Sequence, residues 1–237
     1  MPNTYFKFKQ FTIHQEKCAM KVGTDGVLLG AWTNCENAKY VLDIGTGTGL
    51  IALMIAQRSQ AVIDAIEIDE NACNQAQENF QKSPWNERIN LIHQSFQDFA
   101  KETEKKYDLM VSNPPYFQNS LYAPDEQRTK ARHNMEFELD DILVGAEKLL
   151  AENGALSIIL PYIEGVLFIT NAAEKGFYCV RQTNVLPKPK TQTKRLLLEF
   201  QRQKKAIIDQ ELIIELDNRH EYSENYKNLT KEFYLFL

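Results

Sequence analysis

The sequence predicts an α/β protein built on a mostly parallel sheet. From residue 40 onward, short apolar runs alternate with segments whose apolar residues recur at helical spacing. This succession is typical of βαβ units with right-handed crossovers. The predicted parallel strands are Val41–Ile44, Val62–Ile68, Asn90–His93, Tyr107–Val111 and Ala155–Leu160. The predicted helices are Ile51–Arg58, Glu70–Gln81, Leu139–Leu150 and Glu164–Glu174.

The C-terminal third of the chain predicts a change of strand direction. Tyr178–Leu186 has the composition of a strand, and a proline-lysine segment separates it from Arg195–Phe200, which we expect to return antiparallel. Glu211–Leu216 is predicted as an edge strand and Ser223–Phe233 as a helix. We expect the aromatic residues of this last region to pack against the core rather than to stack on bases.

The first 35 residues precede the sheet. The alternation of Phe6, Phe8, Phe11 and Ile13 with polar residues predicts a half-buried strand or hairpin. The segment 21–32 predicts a turn that enters a helix, with Thr24 or Asp25 as the cap. A functional alternative is that Gly23, Thr24 and Asp25 close over a ligand.

Composition predicts one domain over residues 1–237, with an extension at 1–35 ahead of a core at 36–237. A chain with 43% hydrophobic residues can bury a sizeable core, and no linker or repeat divides it. Neither a run of eighteen apolar residues nor a signal peptide is present, which predicts a cytoplasmic protein. The four scattered cysteines predict neither a disulfide framework nor a metal site.

A glycine-rich turn follows the first core strand. Asp43 is followed by glycines at every second residue, Gly45, Gly47 and Gly49, and then by a helical pattern. Such glycines let the backbone approach a ligand closely, and the first helical turn presents free N–H groups. Dinucleotide-binding loops carry their third glycine where this chain has Leu50. The D-x-G-x-G-x-G pattern instead resembles the S-adenosylmethionine loop of class I methyltransferases.

Acidic residues close the next strand. Glu67 lies about 20 positions after the glycine loop, where an acid that binds ribose hydroxyls is expected. Asp69 is predicted to cap the following helix. The alternative is that both are solvated acids of a turn.

A stiff corner, Asn113-Pro114-Pro115-Tyr116, follows the strand that ends near Val111. The prolines fix φ and remove two N–H donors, so the corner offers amide and carbonyl acceptors beside an aromatic ring. Alone, it predicts a rigid turn. Because the glycine loop also lies at the carboxyl end of a parallel strand, we expect the two motifs to share one crevice and to hold a planar group with an amine.

Net charge and local charge point in opposite directions about nucleic-acid binding. The net charge of −5 argues against a general nucleic-acid binder. Basic clusters are nevertheless present, and they are either solvated faces or phosphate contacts that converge on the corner at residues 113–116. The two clusters predicted to contact RNA are Arg128, Lys130, Arg132 and His133, and Lys188, Lys190, Lys194 and Arg195.

Nearly the whole chain resembles the bacterial adenine-N6 methyltransferases that modify the anticodon loop of a valine tRNA. The motifs that carry this resemblance are Phe8-Lys-Gln-Phe11, Cys18-Ala-Met-Lys-Val-Gly-Thr-Asp-Gly26, Leu28-Leu-Gly-Ala-Trp32, Leu42-Asp-Ile-Gly45, Gln77-Glu-Asn79, Ser83-Pro-Trp85, Ser112-Asn-Pro-Pro-Tyr116 and Leu229-Thr-Lys-Glu-Phe-Tyr-Leu235. The resemblance implies a Rossmann-like sheet of seven strands with a reversed C-terminal hairpin. It also implies S-adenosylmethionine as cofactor and tRNA as partner, with a monomer favoured.

The resemblance further implies roles for single residues. The cofactor would be held by Asp43, Gly45, Thr46, Gly47, Gly49, Glu67, Ser95, Phe96 and Asn113. Ser95 departs from the acid that many relatives carry beside the cofactor adenine. Asn113 and Pro114 would accept the two hydrogens of the substrate amine, with Pro115 stiffening the corner, and Tyr116 would stack on the base.

Four other functions stay open at this stage. The same corner would suit N5-methylation of a glutamine in a release factor, although such enzymes carry an N-terminal helical domain that 35 residues cannot supply. Adenine methylation of DNA or ribosomal RNA and a non-catalytic S-adenosylmethionine- or RNA-binding module are further alternatives. Leu50 disfavours a nicotinamide oxidoreductase.

Overall fold

The computed structural model describes residues 3–18, 20–115 and 139–236. The strands are β1 (Tyr5–Lys7), β2 (Thr12–His14), β3 (Tyr40–Ile44), β4 (Val62–Glu67), β5 (Ile89–His93), β6 (Tyr107–Ser112), β7 (Leu150–Pro161), β8 (Tyr178–Leu186), β9 (Arg195–Gln201) and β10 (Ile208–Ile213). The helices are α1 (Thr24–Trp32), α2 (Leu50–Arg58), α3 (Glu70–Gln81), α4 (Phe96–Glu102), α5 (139–149), α6 (Tyr162–Glu174) and α7 (Glu224–Thr230). Within these ranges, no helix combines the length and the apolar character needed to cross a membrane.

Eight of the described strands form one sheet in the order β10-β8-β9-β7-β6-β3-β4-β5. Strand β9 is antiparallel to both β7 and β8, and the remaining neighbours are parallel. The predicted mostly parallel α/β architecture is therefore confirmed, including the reversed strand. The predicted count of seven is one too low, because Ile208–Ile213 pairs with Arg181–Leu186 as a further parallel strand.

Helices cover both faces of this sheet. Helices α1, α2, α3 and α7 contribute to one buried cluster together with the N-terminal hairpin, and helices α4, α5 and α6 contribute to a second cluster on the other face. Parallel strands that are buried on both faces have near-continuous apolar runs. This is why the core strands of this chain show little alternation in sequence.

The chain changes direction across the sheet between β3 and β6. From β3 it proceeds outward through β4 to β5, and it then returns to β6 on the opposite side of β3. The ends of the two central strands are in register, with Ile44 opposite Ser112, and the Ser112 hydroxyl donates a hydrogen bond to the Ile44 carbonyl at 3.0 Å. Such a reversal opens a crevice at the carboxyl ends of the strands.

The N-terminal extension forms a hairpin that packs on the core. A hairpin was one of the two forms that the sequence predicted. Strands β1 and β2 pair antiparallel, and Phe8 and Ile13 are fully buried. Asn79 of α3 holds the hairpin, since its side chain accepts from the His14 N–H and donates to the His14 carbonyl, each at 2.9 Å. The same amide donates to the Thr48 carbonyl at 2.8 Å. One buried side chain therefore links the hairpin to the glycine loop.

Two local predictions are wrong. Helix α1 has Gly23 as its N-cap, so Thr24 and Asp25 lie within its first turn and neither caps it. The fifth core strand is longer than predicted and begins at Leu150. Gly154 lies inside it, where a Cβ atom would come within 2.9 Å of the Tyr107 carbonyl oxygen, so this glycine permits close pairing with β6.

Candidate functional site

The glycine loop leaves β3 with three residues in the left-handed region. Gly45, Gly47 and Gly49 have φ angles of 69°, 57° and 83°. Residues other than glycine rarely adopt such angles. A Cβ at Gly45 or Gly47 would meet nothing within 4 Å, whereas one at Gly49 would lie 2.4 Å from Cε1 of Phe80. Two glycines thus leave open space above the loop, and the third lets α2 start against α3.

Asp43 and Thr46 form the buried base of this loop. The Thr46 hydroxyl donates to Asp43 Oδ2 at 2.6 Å, and the Thr46 N–H donates to the Ile66 carbonyl at 2.9 Å. Burial raises the pKa of the Asp43 carboxyl to about 7, an effect that the Thr46 hydroxyl and the Ala52 N–H partly offset. Among the described residues, no group makes a hydrogen bond to Asp43 Oδ1.

Glu67 ends β4 directly beside the loop. Its Oε2 accepts a hydrogen bond from the Gly47 N–H at 2.8 Å, and its Oε1 accepts from the N–H groups of Ile68 and Asp69 at 2.9 Å each. An ionised carboxylate offers about four acceptor positions, so Glu67 retains capacity for a ligand hydroxyl. Asp69 caps α3 by accepting from the Ala72 N–H at 2.8 Å, as predicted.

A cavity of about 370 Å³ lies over the carboxyl ends of β3, β4 and β6. Its size falls in the usual range of small-molecule sites, roughly 300–1,000 Å³. The predicted site residues in its wall are Gly45, Gly47, Glu67, Ser95, Phe96, Asn113, Pro114 and Pro115. Asp43, Thr46 and Gly49 are not among the lining residues, and they shape the loop from beneath. Gly23, Thr24 and Asp25 also lie outside the wall.

Sequence reasoning missed part of this wall. The further lining residues are Cys18, Met20, Ile44, Ile66, Ile68, Asp69, Ala72, Gln94, Gln97, Ser112 and Ile142. Cys18 and Met20 come from the N-terminal extension, so the extension forms one side of the cavity. Their place in the N-terminal motif of the resemblance was the only signal for them, since spacing along the chain does not bring residue 20 to the sheet edge.

Ser95 and Phe96 lie where the chain enters α4. The Ser95 hydroxyl accepts from the Asp98 N–H at 3.1 Å and donates to Asp98 Oδ2 at 2.8 Å. Ser95 is therefore the N-cap of α4, and the Asp98 carboxylate completes the cap. This bond, with a smaller effect of Lys101, holds the pKa of Asp98 below its ordinary value. The Phe96 ring packs directly against Gly145. A Cβ atom at Gly145 would lie 2.2 Å from Cζ of Phe96, so a larger residue there would collide with the ring.

The Asn113-Pro114-Pro115 corner follows β6, and Glu67 ends β4. Because β3 lies between these two strands, the corner and Glu67 lie on either side of the glycine loop in the cavity wall. Asn113 is half-buried, and its Nδ2 lies 3.9 Å from the place of a Cβ at Gly26, in the first turn of α1. Helix α1 therefore packs close to the Asn113 side chain. Tyr116 lies outside the described residues.

The predicted RNA-contacting residues fall into two groups. Lys188, Lys190 and Lys194 belong to the loop between β8 and β9. Because Arg195 at the start of β9 pairs with Pro161 at the carboxyl end of β7, this loop lies at the same end of the strands as the cavity. Arg195 is paired, with its Nε 3.0 Å from Asp25 Oδ2. The other predicted cluster, Arg128, Lys130, Arg132 and His133, lies outside the described residues.

Fold and site together define a class I methyltransferase, and residues 22–167 match the family model of the methyltransferase small domain. The chain belongs to the family of bacterial tRNA1(Val) (adenine(37)-N6)-methyltransferases. A relative with this name from Bacteroides thetaiotaomicron is 49% identical over 239 residues, covering 100% of both chains. Another, from Flavobacterium psychrophilum, is 49% identical over 97% of this chain and 99% of its own.

Solved structures support the fold. The structure of a predicted O-methyltransferase from Agrobacterium tumefaciens is similar with a TM-score of 0.70 and 16% identity, covering 88% of this chain and 96% of that one. The structure of M. jannaschii TYW2 in complex with AdoMet gives a TM-score of 0.55 and 14% identity, covering 84% and 86%. The predicted class I methyltransferase fold is confirmed.

Proposed function

We propose that the protein transfers a methyl group from S-adenosylmethionine to N6 of adenine 37 in a valine tRNA. One observation carries the proposal: the glycine loop, Glu67 and the Asn113-Pro114-Pro115 corner line a single cavity at the strand reversal. The names of the whole-length relatives support the choice of substrate.

The cavity wall fits the cofactor. Gly45 and Gly47 leave the space above them free of Cβ atoms, so a ligand can lie against the loop backbone. Glu67 is fixed by three backbone donors with acceptor capacity left for ribose hydroxyls. Phe96, braced by Gly145, offers an apolar surface for the adenine ring. Asp43 acts indirectly, by fixing Thr46 and the loop.

The chain's own groups can hold and orient the substrate amine for the transfer. The amine of adenine is a poor nucleophile because its lone pair is delocalised into the ring. If Asn113 Oδ1 and the Pro114 carbonyl accept hydrogen bonds from its two N–H groups, the lone pair is localised toward the methyl group, and one of these protons would pass to solvent once the N–C bond has formed. The cofactor supplies a methyl group that its sulfonium charge already activates. Alignment by the rigid corner contributes much of the rest, because the reacting atoms are held in place.

The other expectations form part of the same proposal. We propose that residues 1–237 act as one catalytic domain, since the 1–35 extension packs on the 36–237 core and forms part of the cavity wall. Lys188, Lys190 and Lys194 are proposed to contact phosphates of the anticodon loop at the mouth of the site. An unpaired loop base is cheaper to extrude than a duplex base. A monomer in the cytoplasm is favoured.

Labelled S-adenosylmethionine and bulk tRNA test this function. We expect the label in N6-methyladenine at position 37 of a valine tRNA. Detection of N2-methylguanine alone, or of labelled protein alone, would overturn the proposal.

Asn113→Ala tests the role of the corner. We expect it to retain affinity for S-adenosylhomocysteine and to lose at least 100-fold in kcat, a typical effect of removing a group that acts in the transition state. Asn153→Ala is the matched control, because Asn153 is exposed at the start of β7, on the opposite edge of the sheet. Equal turnover of the two variants would refute the role of Asn113.

A further inference from the structure

A groove of aromatic and basic residues lies beside α7, outside the cavity. We define the C-terminal groove as two adjoining surface depressions that share Tyr222, Tyr234 and Phe236. Phe6 and Tyr226 complete the aromatic wall on one side. The sequence predicted that these aromatic residues only pack, and that is true of the buried Tyr226 and Phe233. The prediction of packing does not hold for Phe236, which is 91% exposed.

The aromatic wall is preorganised. Tyr222 stacks on Tyr226, with ring centroids 5.2 Å apart, and Tyr234 packs on Phe8 at 5.9 Å. The Tyr226 and Tyr234 hydroxyls lie 3.5 Å apart. Rings held in this way lose little conformational entropy when a planar ligand stacks beside them. A lone exposed Phe needs no explanation, but one that borders a fixed aromatic wall provides a stacking surface.

The charges of the groove suit a polyanion. Lys9, Lys227, Lys231 and His220 line the half nearer the end of α7. Glu215 lines the other half, and its carboxylate accepts a hydrogen bond from the His220 N–H at 3.3 Å. Lysines interleaved with aromatic rings are the features that bind single-stranded nucleic acid, because the former neutralise phosphates and the latter stack on bases.

The groove also continues toward the catalytic corner. Thr24, at the start of α1, and Pro187, at the start of the lysine-rich loop, line its near end. The next two residues of α1 contact the site, since Asp25 pairs with Arg195 and Gly26 faces Asn113. The first turn of α1 therefore lies between the near end of the groove and Asn113.

We propose that the C-terminal groove binds unpaired nucleotides of the substrate RNA that flank the target adenine, with one base on Phe236 and phosphates on Lys227 and Lys231. This inference rests on the proposed function, since it extends the contact of the same tRNA. The groove sets RNA affinity and register, while the chemistry stays at Asn113.

The test uses the full chain and an RNA hairpin that carries the anticodon stem and loop of a valine tRNA. Phe236→Ala is expected to raise the hairpin Kd at least five-fold, the lower end of the effect of losing one stacked base. Phe236→Tyr keeps a ring and should stay within two-fold of wild type, whereas Phe236→Leu should behave like alanine. In methylation assays the KM for tRNA should rise while kcat is retained.

The lysines are tested together. Lys227→Ala/Lys231→Ala should weaken hairpin binding and reduce the slope of log affinity against log salt by about 1 to 2. Matched controls lie at the opposite edge of the sheet: Ile208→Ala removes an exposed apolar side chain that is 56% exposed, and Lys204→Ala removes an exposed charge. Neither control should change the hairpin Kd or the salt slope.

The outcomes separate the two proposals. If wild type methylates tRNA adenine but the Phe236 and lysine variants bind the hairpin within two-fold of wild type, RNA binding by the C-terminal groove is refuted and the proposed function stands. If wild type binds the hairpin through Phe236 and the lysines but methylates no adenine, the proposed function is refuted and RNA binding by the C-terminal groove stands.

Discussion

Replacement of Gly49 by alanine is predicted to destabilise the protein far more than the same change at Gly47. Both glycines have positive φ, 83° and 57°, and alanine in the left-handed region costs roughly 1–2 kcal/mol. At Gly49 the new Cβ would also lie 2.4 Å from Cε1 and 2.8 Å from Cζ of Phe80, which is fully buried. Such overpacking typically adds about 1–3 kcal/mol.

The predicted loss of unfolding free energy is therefore about 2–5 kcal/mol for Gly49→Ala and about 1–2 kcal/mol for Gly47→Ala. For a chain of this size, 1 kcal/mol lowers the Tm by roughly 2–4 °C. Urea denaturation and thermal unfolding measure both values. Cofactor binding should show the opposite order, because a Cβ at Gly47 projects over the loop where the cavity opens, so Gly47→Ala should lose affinity for S-adenosylhomocysteine.

A double-mutant cycle isolates the steric contribution. Phe80→Leu removes the ring atoms that the new Cβ would strike, so Gly49→Ala should cost less in that background than in wild type. Equal stability of Gly49→Ala and Gly47→Ala, or additive effects of Gly49→Ala and Phe80→Leu, would refute the assignment of Gly49 to helix packing.

Three further predictions concern buried polar groups. Glu67→Gln should weaken S-adenosylhomocysteine binding at least ten-fold in calorimetry, because the new amide cannot accept from the loop N–H groups at both ends; unchanged affinity would contradict this. Burial raises the folded-state pKa of Asp43 above its ordinary 3.8 to about 7. Its contribution to stability is therefore present at low pH and is lost as the pH rises from about 4 through 7. Urea unfolding should show this loss in wild type and a smaller one in Asp43→Asn, and parallel pH profiles would disprove it. Asn79→Ala should cost about 2–4 kcal/mol in urea unfolding, because the backbone groups of His14 and the carbonyl of Thr48 lose buried partners. Faster proteolysis within the N-terminal hairpin is expected as well, and a loss below 1 kcal/mol would contradict the role of Asn79.

Much of the framework could be predicted from sequence because its signals are local. The apolar run that ends at Ile44, the glycines after it and the helical spacing beyond Leu50 each depend on neighbouring residues. The same holds for Asp69, whose carboxylate accepts a hydrogen bond from the N–H of a residue only three positions further on. Two such turns at the carboxyl ends of parallel strands were enough to expect a shared crevice at Asn113.

Local signals do not predict contacts between distant segments of the chain. Nothing in the spacing of the chain indicates that Cys18 and Met20 line the cavity, because their position depends on how the hairpin packs on α3. The edge strand Ile208–Ile213 was predicted three residues too late and without its partner, since a strand whose residues are mostly exposed has a weak pattern. Ser95 was placed beside the cavity by resemblance, but its use as a helix cap depends on the start of α4.

The sequence by itself determined the elements and the chemistry of the two turns, because backbone dihedrals, proline and glycine act over a few residues. Tertiary structure alone decided which residues share the cavity. Strand order brings β3 beside β6, hairpin packing brings Cys18 and Met20 into the wall, and the first turn of α1 links Asn113 to the C-terminal groove. These are long-range choices that depend on the balance of buried area and paired hydrogen bonds over the whole sheet.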